Sequence, residues 1–307
     1  MGLFIPLGLI AVLALLPVFA ERRRHPADAF REQAPGRFAK LSQGVTHYQW
    51  LGATRGPVIV CIHGLGTPSP VWYAIASGLG RMGFRVLIYD LYGRGFSDAP
   101  FGRQTATFFK KQLADLLEHQ EVSDDVTLIG YSMGGSIAAA FSAAYPNRVH
   151  RLILLAGAGM AIRNDRLMDL SCRLPFLGDW LHHVLIARKD RRQLRTQLGR
   201  TFDIKGITEL QLSEYESKGF LRSVLSSRRY MLSLRLEEEH RVISRSDIQV
   251  VGIWGEKDEV IPLRSLGVLS QWNRSVRQEV IGGADHALPY THASQVVDVL
   301  GKVLTEN

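Results

Sequence analysis

From residue 45 onward, short continuous apolar runs alternate with longer stretches in which apolar positions recur every three or four residues. The runs Val45 to Leu51, Pro57 to Ile62, Arg85 to Tyr89, Val126 to Ile129, Arg151 to Leu155, Ile248 to Trp254 and Ser275 to Ile281 predict strands. Most are rich in β-branched residues and lack polar alternation, as strands buried on both faces do. The helical period predicts helices over Trp72 to Met82, Thr107 to His119, Ser136 to Tyr145 and His292 to Val303. This alternation predicts an α/β fold, a mostly parallel sheet with helices on both faces. In such sheets chemistry collects beyond the carboxyl ends of the strands.

Two segments break the pattern. Gly2 to Ala20 carries no charge and is followed by Glu21-Arg22-Arg23-Arg24. Nineteen helical residues reach roughly 28 Å, about one hydrocarbon core, so an N-terminal transmembrane helix is expected. A cleaved signal peptide ending at Val18-Phe19-Ala20 is the competing reading, but such peptides carry their basic residues before the apolar stretch. With the arginines after it, the positive-inside bias makes the chain a single-pass membrane protein with a cytoplasmic catalytic region. Myristoylation is disfavoured because Pro6 stands where Ser or Thr is required. The second break, from Gly157 to Asp247, is too long for an ordinary loop and is helical in period, which predicts a cap over the site. The expected organisation is an anchor over 1–21, a linker over 22–36, a core of 37–158 and 246–307, and a helical cap over 159–245.

Composition adds charge to this outline. The chain has 307 residues, 46% of them apolar, and a formal net charge of +8. Gly159 to Arg245 holds 17 Lys and Arg against 11 Asp and Glu, so most of the excess lies in the cap. Arg188-Lys189-Asp190-Arg191-Arg192 and Arg195, beside Leu181, Leu185, Leu194 and Leu198, read either as a surface for an anionic membrane or head group or as a solvated helix face. No aromatic-interleaved motif accompanies the charge, which argues against nucleic acid. Cys61 and Cys172 are isolated in sequence, so neither a disulfide framework nor a metal site is expected.

The chemistry starts at Gly130-Tyr131-Ser132-Met133-Gly134, between a predicted strand and a predicted helix. In that context G-x-S-x-G is a nucleophile elbow, whereas alone it is a common glycine-rich turn. A serine needs a base to take its proton and a third group to fix the tautomer of that base. His286 and Asp258, both after late strands, supply these roles in the chain order Ser, Asp, His. Glu256 and Asp285 are rivals to Asp258 for the acid.

Together with His63-Gly64, Asp90 to Asp98, Trp254 to Asp258 and Asp285-His286, these residues make the chain from about Lys40 onward, outside the insertion, resemble the α/β-hydrolase family. The resemblance is to capped esterases and lipases, including bacterial carboxylesterases, monoacylglycerol lipases and hydrolases of ring-cleavage products. Dehalogenases and epoxide hydrolases place Asp where this chain has Ser132. The resemblance implies the α/β-hydrolase fold, a catalytic Ser132, Asp258 and His286, an oxyanion hole from the amides of Leu65 and Met133, and no cofactor or metal. It favours Asp258 over its rivals and makes Asp90 to Asp98 a structural loop turned by Gly93 and Gly95. The expected activity is hydrolysis of carboxylic esters through an acyl-enzyme. The expected anchor and basic cap direct that activity to lipid-like esters such as a monoacylglycerol or lysophospholipid. Cleavage of carbon–carbon bonds, thioesters or amides by the same residues is the alternative, as is a non-catalytic binding protein of this fold.

Overall fold

The computed structural model describes residues 14–160 and 165–305. Eight strands form one sheet: β1 (Arg37–Leu41), β2 (Gly44–Gly52), β3 (Val58–Ile62), β4 (Arg85–Tyr89), β5 (Val126–Tyr131), β6 (Val149–Leu155), β7 (Gln249–Gly255) and β8 (Arg277–Ile281). Their order is β1-β2-β4-β3-β5-β6-β7-β8. The β1/β2 and β2/β4 pairs are antiparallel and the remaining pairs parallel. The sheet therefore confirms the mostly parallel α/β fold. β1 escapes sequence analysis because Arg37 and Lys40 interrupt a five-residue edge strand whose pattern carries little apolar signal.

Side-chain alternation splits the core in two. In β3, Val60 and Ile62 face one apolar cluster while Ile59 and Cys61 face the other. The first cluster is closed by helices α2 (Ala106–His119), α3 (Met133–Ala144) and α10 (Arg264–Trp272), the second by α1 (Tyr73–Arg81) and α11 (Ala293–Thr305). Thr105 starts α2 by accepting the Phe108 amide at 3.2 Å. From β3 the chain passes outward to β4 and then returns across β3 to β5. This reversal lies at the carboxyl ends of β3 and β5, the place where ligands of open α/β sheets bind.

Among the described residues six α-helices lie between β6 and β7: α4 (Arg166–Arg173), α5 (Leu177–Leu181), α6 (Ala187–Arg195), α7 (Ile207–Glu214), α8 (Phe220–Arg229) and α9 (Glu237–Ile243). Part of this insertion has its own small core of Ala187, Tyr215, Phe220, Leu221 and Val224, which packs against Leu65 of the main body. The basic stretch falls on α6, where Arg188, Lys189, Arg192 and Arg195 are exposed and Arg191 pairs with Glu216 at 2.5 Å.

The N-terminus corrects an expectation. Among the described residues no helix is long and apolar enough to cross a membrane. Residues 1–13 of the expected anchor lie outside the described residues. The described remainder is helical over 14–22, about 14 Å at the usual rise and roughly half a hydrocarbon core. Its charged end is tied to the protein body. Glu21 accepts the Gly219 amide at 2.5 Å, Arg24 Nε donates to the Tyr215 carbonyl at 3.1 Å, and His25 exchanges backbone hydrogen bonds with Glu216 and Lys218. Farther on, Arg31 reaches the Phe96 carbonyl at 3.0 Å and Asp98 at 2.6 Å. The transmembrane helix is thus unsupported. With it go single-pass membrane localisation, the cytoplasmic orientation drawn from it, and membrane partnership through the N-terminus.

Candidate active site

Ser132 occupies the turn between β5 and α3 with φ 53° and ψ −118°. Side chains with a Cβ rarely occupy this region, and holding one there costs ~1–3 kcal/mol. Backbone hydrogen bonds impose it: the Ser132 amide donates to Leu155 at 3.1 Å, and its carbonyl accepts from Gly135 and Ala158 at 2.9 Å each. The flanking glycines are required by space. A Cβ on Gly130 would fall onto the backbone of Gly134 and Gly135, and one on Gly134 onto the carbonyls of Ile62 and His63.

His286 follows β8. Its Nε2 lies 3.0 Å from Ser132 Oγ, and its Nδ1 lies 2.8 Å from Asp258 Oδ2. Asp258 is buried after β7, and its Oδ1 accepts the amides of Val260 and Ile261 at 2.8 and 2.7 Å. A carboxylate only accepts, so Nδ1 of His286 carries the proton and Nε2 is free to accept that of Ser132. Tyr131, next to the serine, donates its hydroxyl to the His286 carbonyl at 2.8 Å. The rivals are engaged elsewhere: exposed Asp285 accepts the Ala287 amide at 2.9 Å, and exposed Glu256 accepts that of Gly283 at 2.7 Å.

The His63 to Leu65 loop lies beside the serine. A Cβ on Gly64 would lie 3.3 Å from the Cβ of Ser132. The fully buried His63 accepts the Leu91 amide on Nε2 at 2.9 Å, so its Nδ1 holds the proton and donates to the Gly64 carbonyl at 2.8 Å. Burial pushes the His63 pKa down to about 4, against the pull of the Asp90 carboxylate, so the ring is neutral near pH 7. With the Gly64 carbonyl fixed, the trans peptide turns the Leu65 amide the opposite way. Met133 opens α3, so its amide belongs to the first turn, which lacks intrahelical acceptors.

Asp90 is structural. Its carboxylate accepts from His47 Nδ1 at 2.7 Å and from the amides of Ser69 and Phe96 at 2.8 and 3.1 Å. Gly93 and Gly95 take φ of 81° and 53° in the loop that follows. Arg94, between them, is a residue sequence analysis passes over. Among the described residues no group of three or more His, Cys, Asp or Glu is arranged to hold a metal ion.

The sequence profile of the α/β-hydrolase fold matches residues 57–171. A carboxylesterase structure from Bacillus subtilis superposes with a TM-score of 0.72 over 96% of this chain and 99% of its own, at 17% identity. The chain has the α/β-hydrolase fold. Among curated relatives, this α/β-hydrolase-fold protein is 25% identical over 267 residues to a pimeloyl-[acyl-carrier protein] methyl ester esterase of Aeromonas hydrophila, covering 80% of this chain and 94% of the relative. It is also 25% identical over 259 residues to a 2-hydroxymuconate semialdehyde hydrolase of a Pseudomonas species, covering 81% and 87%. The resemblance to carboxylesterases holds, and the homologues support hydrolase activity.

Proposed function

We propose that the protein is a serine hydrolase of carboxylic esters, with Ser132 as nucleophile, His286 as base and Asp258 as its orienting acid. The observation that carries this is the hydrogen-bonded chain from Ser132 Oγ through both nitrogens of His286 to Asp258, at 3.0 and 2.8 Å. His286 removes the serine proton as Oγ attacks the ester carbonyl, and the tetrahedral oxyanion rests on the amides of Leu65 and Met133. His286 then protonates the departing alcohol. Water attacks the acyl-enzyme by the same route and releases the acid.

A methyl ester esterase among the relatives agrees with an ester as the scissile group. The lipid-like ester expected at the outset leaned on a membrane anchor that the described residues do not support. Carbon–carbon cleavage is the second reading, favoured by the semialdehyde hydrolase among the relatives. A panel of p-nitrophenyl esters, acylglycerols, thioesters and ring-cleavage diketones tests the assignment. Ester turnover that falls at least ~1000-fold in Ser132→Ala is expected. Full activity in that variant removes the serine from the mechanism, and turnover confined to the diketones transfers the assignment to the second reading.

A further inference from the structure

Arg94 is 1% exposed, buried between the main body and the cap. All five of its N–H groups have acceptors. Nε donates to the Leu65 carbonyl at 3.0 Å, Nη1 to the Tyr92 carbonyl at 2.9 Å and Gln104 Oε1 at 2.6 Å, and Nη2 to the Ser223 carbonyl at 3.5 Å and Ser227 Oγ at 2.9 Å. Ser223 and Ser227 lie on α8, so one rigid fork joins the cap helix to the loop beside the nucleophile. No other residue type presents five donors in that planar arrangement.

What the fork holds gives it a role beyond packing. The two peptide planes flanking Leu65 are pinned separately: His63 fixes the Gly64 carbonyl, and Arg94 fixes the Leu65 carbonyl. The His63 clamp depends on the main body alone, through Leu91. The Arg94 clamp is shared, held by Tyr92 and Gln104 of the main body and by Ser223 and Ser227 of the cap. The Leu65 side chain also depends on the cap, since it packs against the cap's own small core.

The geometry points to Arg94 as a positioning residue that holds Leu65 together with His63 and so couples the seating of α8 to the Leu65 amide. The inference rests on the proposal that this amide belongs to the oxyanion hole. If α8 lifts, Arg94 loses its Ser223 and Ser227 anchors, its hold on the Leu65 carbonyl loosens, and the amide keeps only the His63 clamp, so the hole is complete only with the cap in place.

The test compares the full-length protein with Arg94→Met, Arg94→Lys and Ser227→Ala, measuring kcat and KM on a short p-nitrophenyl ester and the affinity for an alkylboronic acid, which forms a tetrahedral adduct on the serine. Loss of one oxyanion donor sets the scale: Arg94→Met and Arg94→Lys lower kcat roughly 50- to 500-fold with KM within about 3-fold, and boronate affinity falls in parallel. Ser227→Ala, removing one of the two cap contacts to Arg94 and the Ser227 hydrogen bond to Gln104, shows the same pattern at roughly 5-fold. Unchanged kcat, a change in KM alone, or a kcat loss without loss of boronate affinity overturns the coupling. If the Arg94 variants do not fold, Ser227→Ala decides, and wild-type values for both readouts overturn it. Activity retained in Ser132→Ala brings down the serine reading and this coupling together. An inactive Ser132→Ala beside a fully active Arg94→Met brings down the coupling alone.

Discussion

Asp258 accepts the Nδ1–H hydrogen bond of His286 at 2.8 Å on one oxygen and two backbone amides on the other. Its carboxylate is therefore fixed from both sides before any substrate arrives. An amide at this position can turn its NH2 toward His286 and favour the wrong tautomer, so Asp258→Asn should lower kcat by roughly 10³- to 10⁴-fold with the fold intact. Asp285→Asn, at the exposed rival, should stay within about 3-fold of wild type. Steady-state kinetics on a chromogenic ester with circular dichroism as the fold control checks both, and the reverse ranking refutes the assignment.

The positive φ of Ser132 predicts a separation of stability from activity. Both Ser132→Ala and Ser132→Gly remove the hydroxyl, but only glycine relieves the backbone. Ser132→Gly should be more stable than Ser132→Ala by ~1 kcal/mol in urea denaturation. Equal midpoints would show that the turn stores no strain.

Glu214, at the end of α7, is fully buried and accepts the Gly95 amide at 2.9 Å. Burial raises its pKa from 4.5 to about 8. A raised folded-state value contributes stability that is complete below about 4.5 and lost as pH rises through 8. Glu214→Gln keeps an acceptor for Gly95 and removes the ionisation. Its melting temperature should match the parent at pH 4.5 and exceed it at pH 9 by the equivalent of ~1 kcal/mol or more. A parallel pH profile for the two proteins counts against a buried neutral acid.

On the acid side, burial lowers the pKa of His63 and of His240 to about 4. The unfolded chain binds protons that these rings refuse, so stability is intact above about 6.5 and declines as pH falls toward 4. His240 stacks on Trp272 with ring centroids 5.9 Å apart, and neither ring nitrogen has a hydrogen-bond partner among the described residues. His240→Phe should therefore stabilise the protein by ~1 kcal/mol at pH 7 and more at pH 5. Thermal melts at the two pH values measure this, and a destabilised variant at both would mean the phenyl ring does not fit.

How far the sequence spoke depended on how local each constraint is. The elbow was legible because Gly130 and Gly134 meet backbone within a few residues or on the neighbouring strand, and the strand before it and helix after it fix the context. Asp258 was legible because it follows the visible apolar run of β7, and His286 because the pair Asp285-His286 stands just after the last predicted strand. Arg94 was not, because its partners Leu65 and Ser227 lie 29 and 133 residues away and only the packed cap brings them together. The N-terminus misled for a related reason. Hydropathy registers the uncharged stretch but not that Glu21 and Arg24 find partners at Gly219 and Tyr215.

Ser132 and His286 stand 154 residues apart in the chain, with the helices that join β6 to β7 between them. Closing a loop of that size costs entropy that only the assembled sheet recovers. The two residues can meet only after β7 and β8 have docked beyond β6, so catalytic competence appears near the end of folding. On refolding, hydrolase activity should return after the helical signal, which makes the activity itself a reporter of the completed chain.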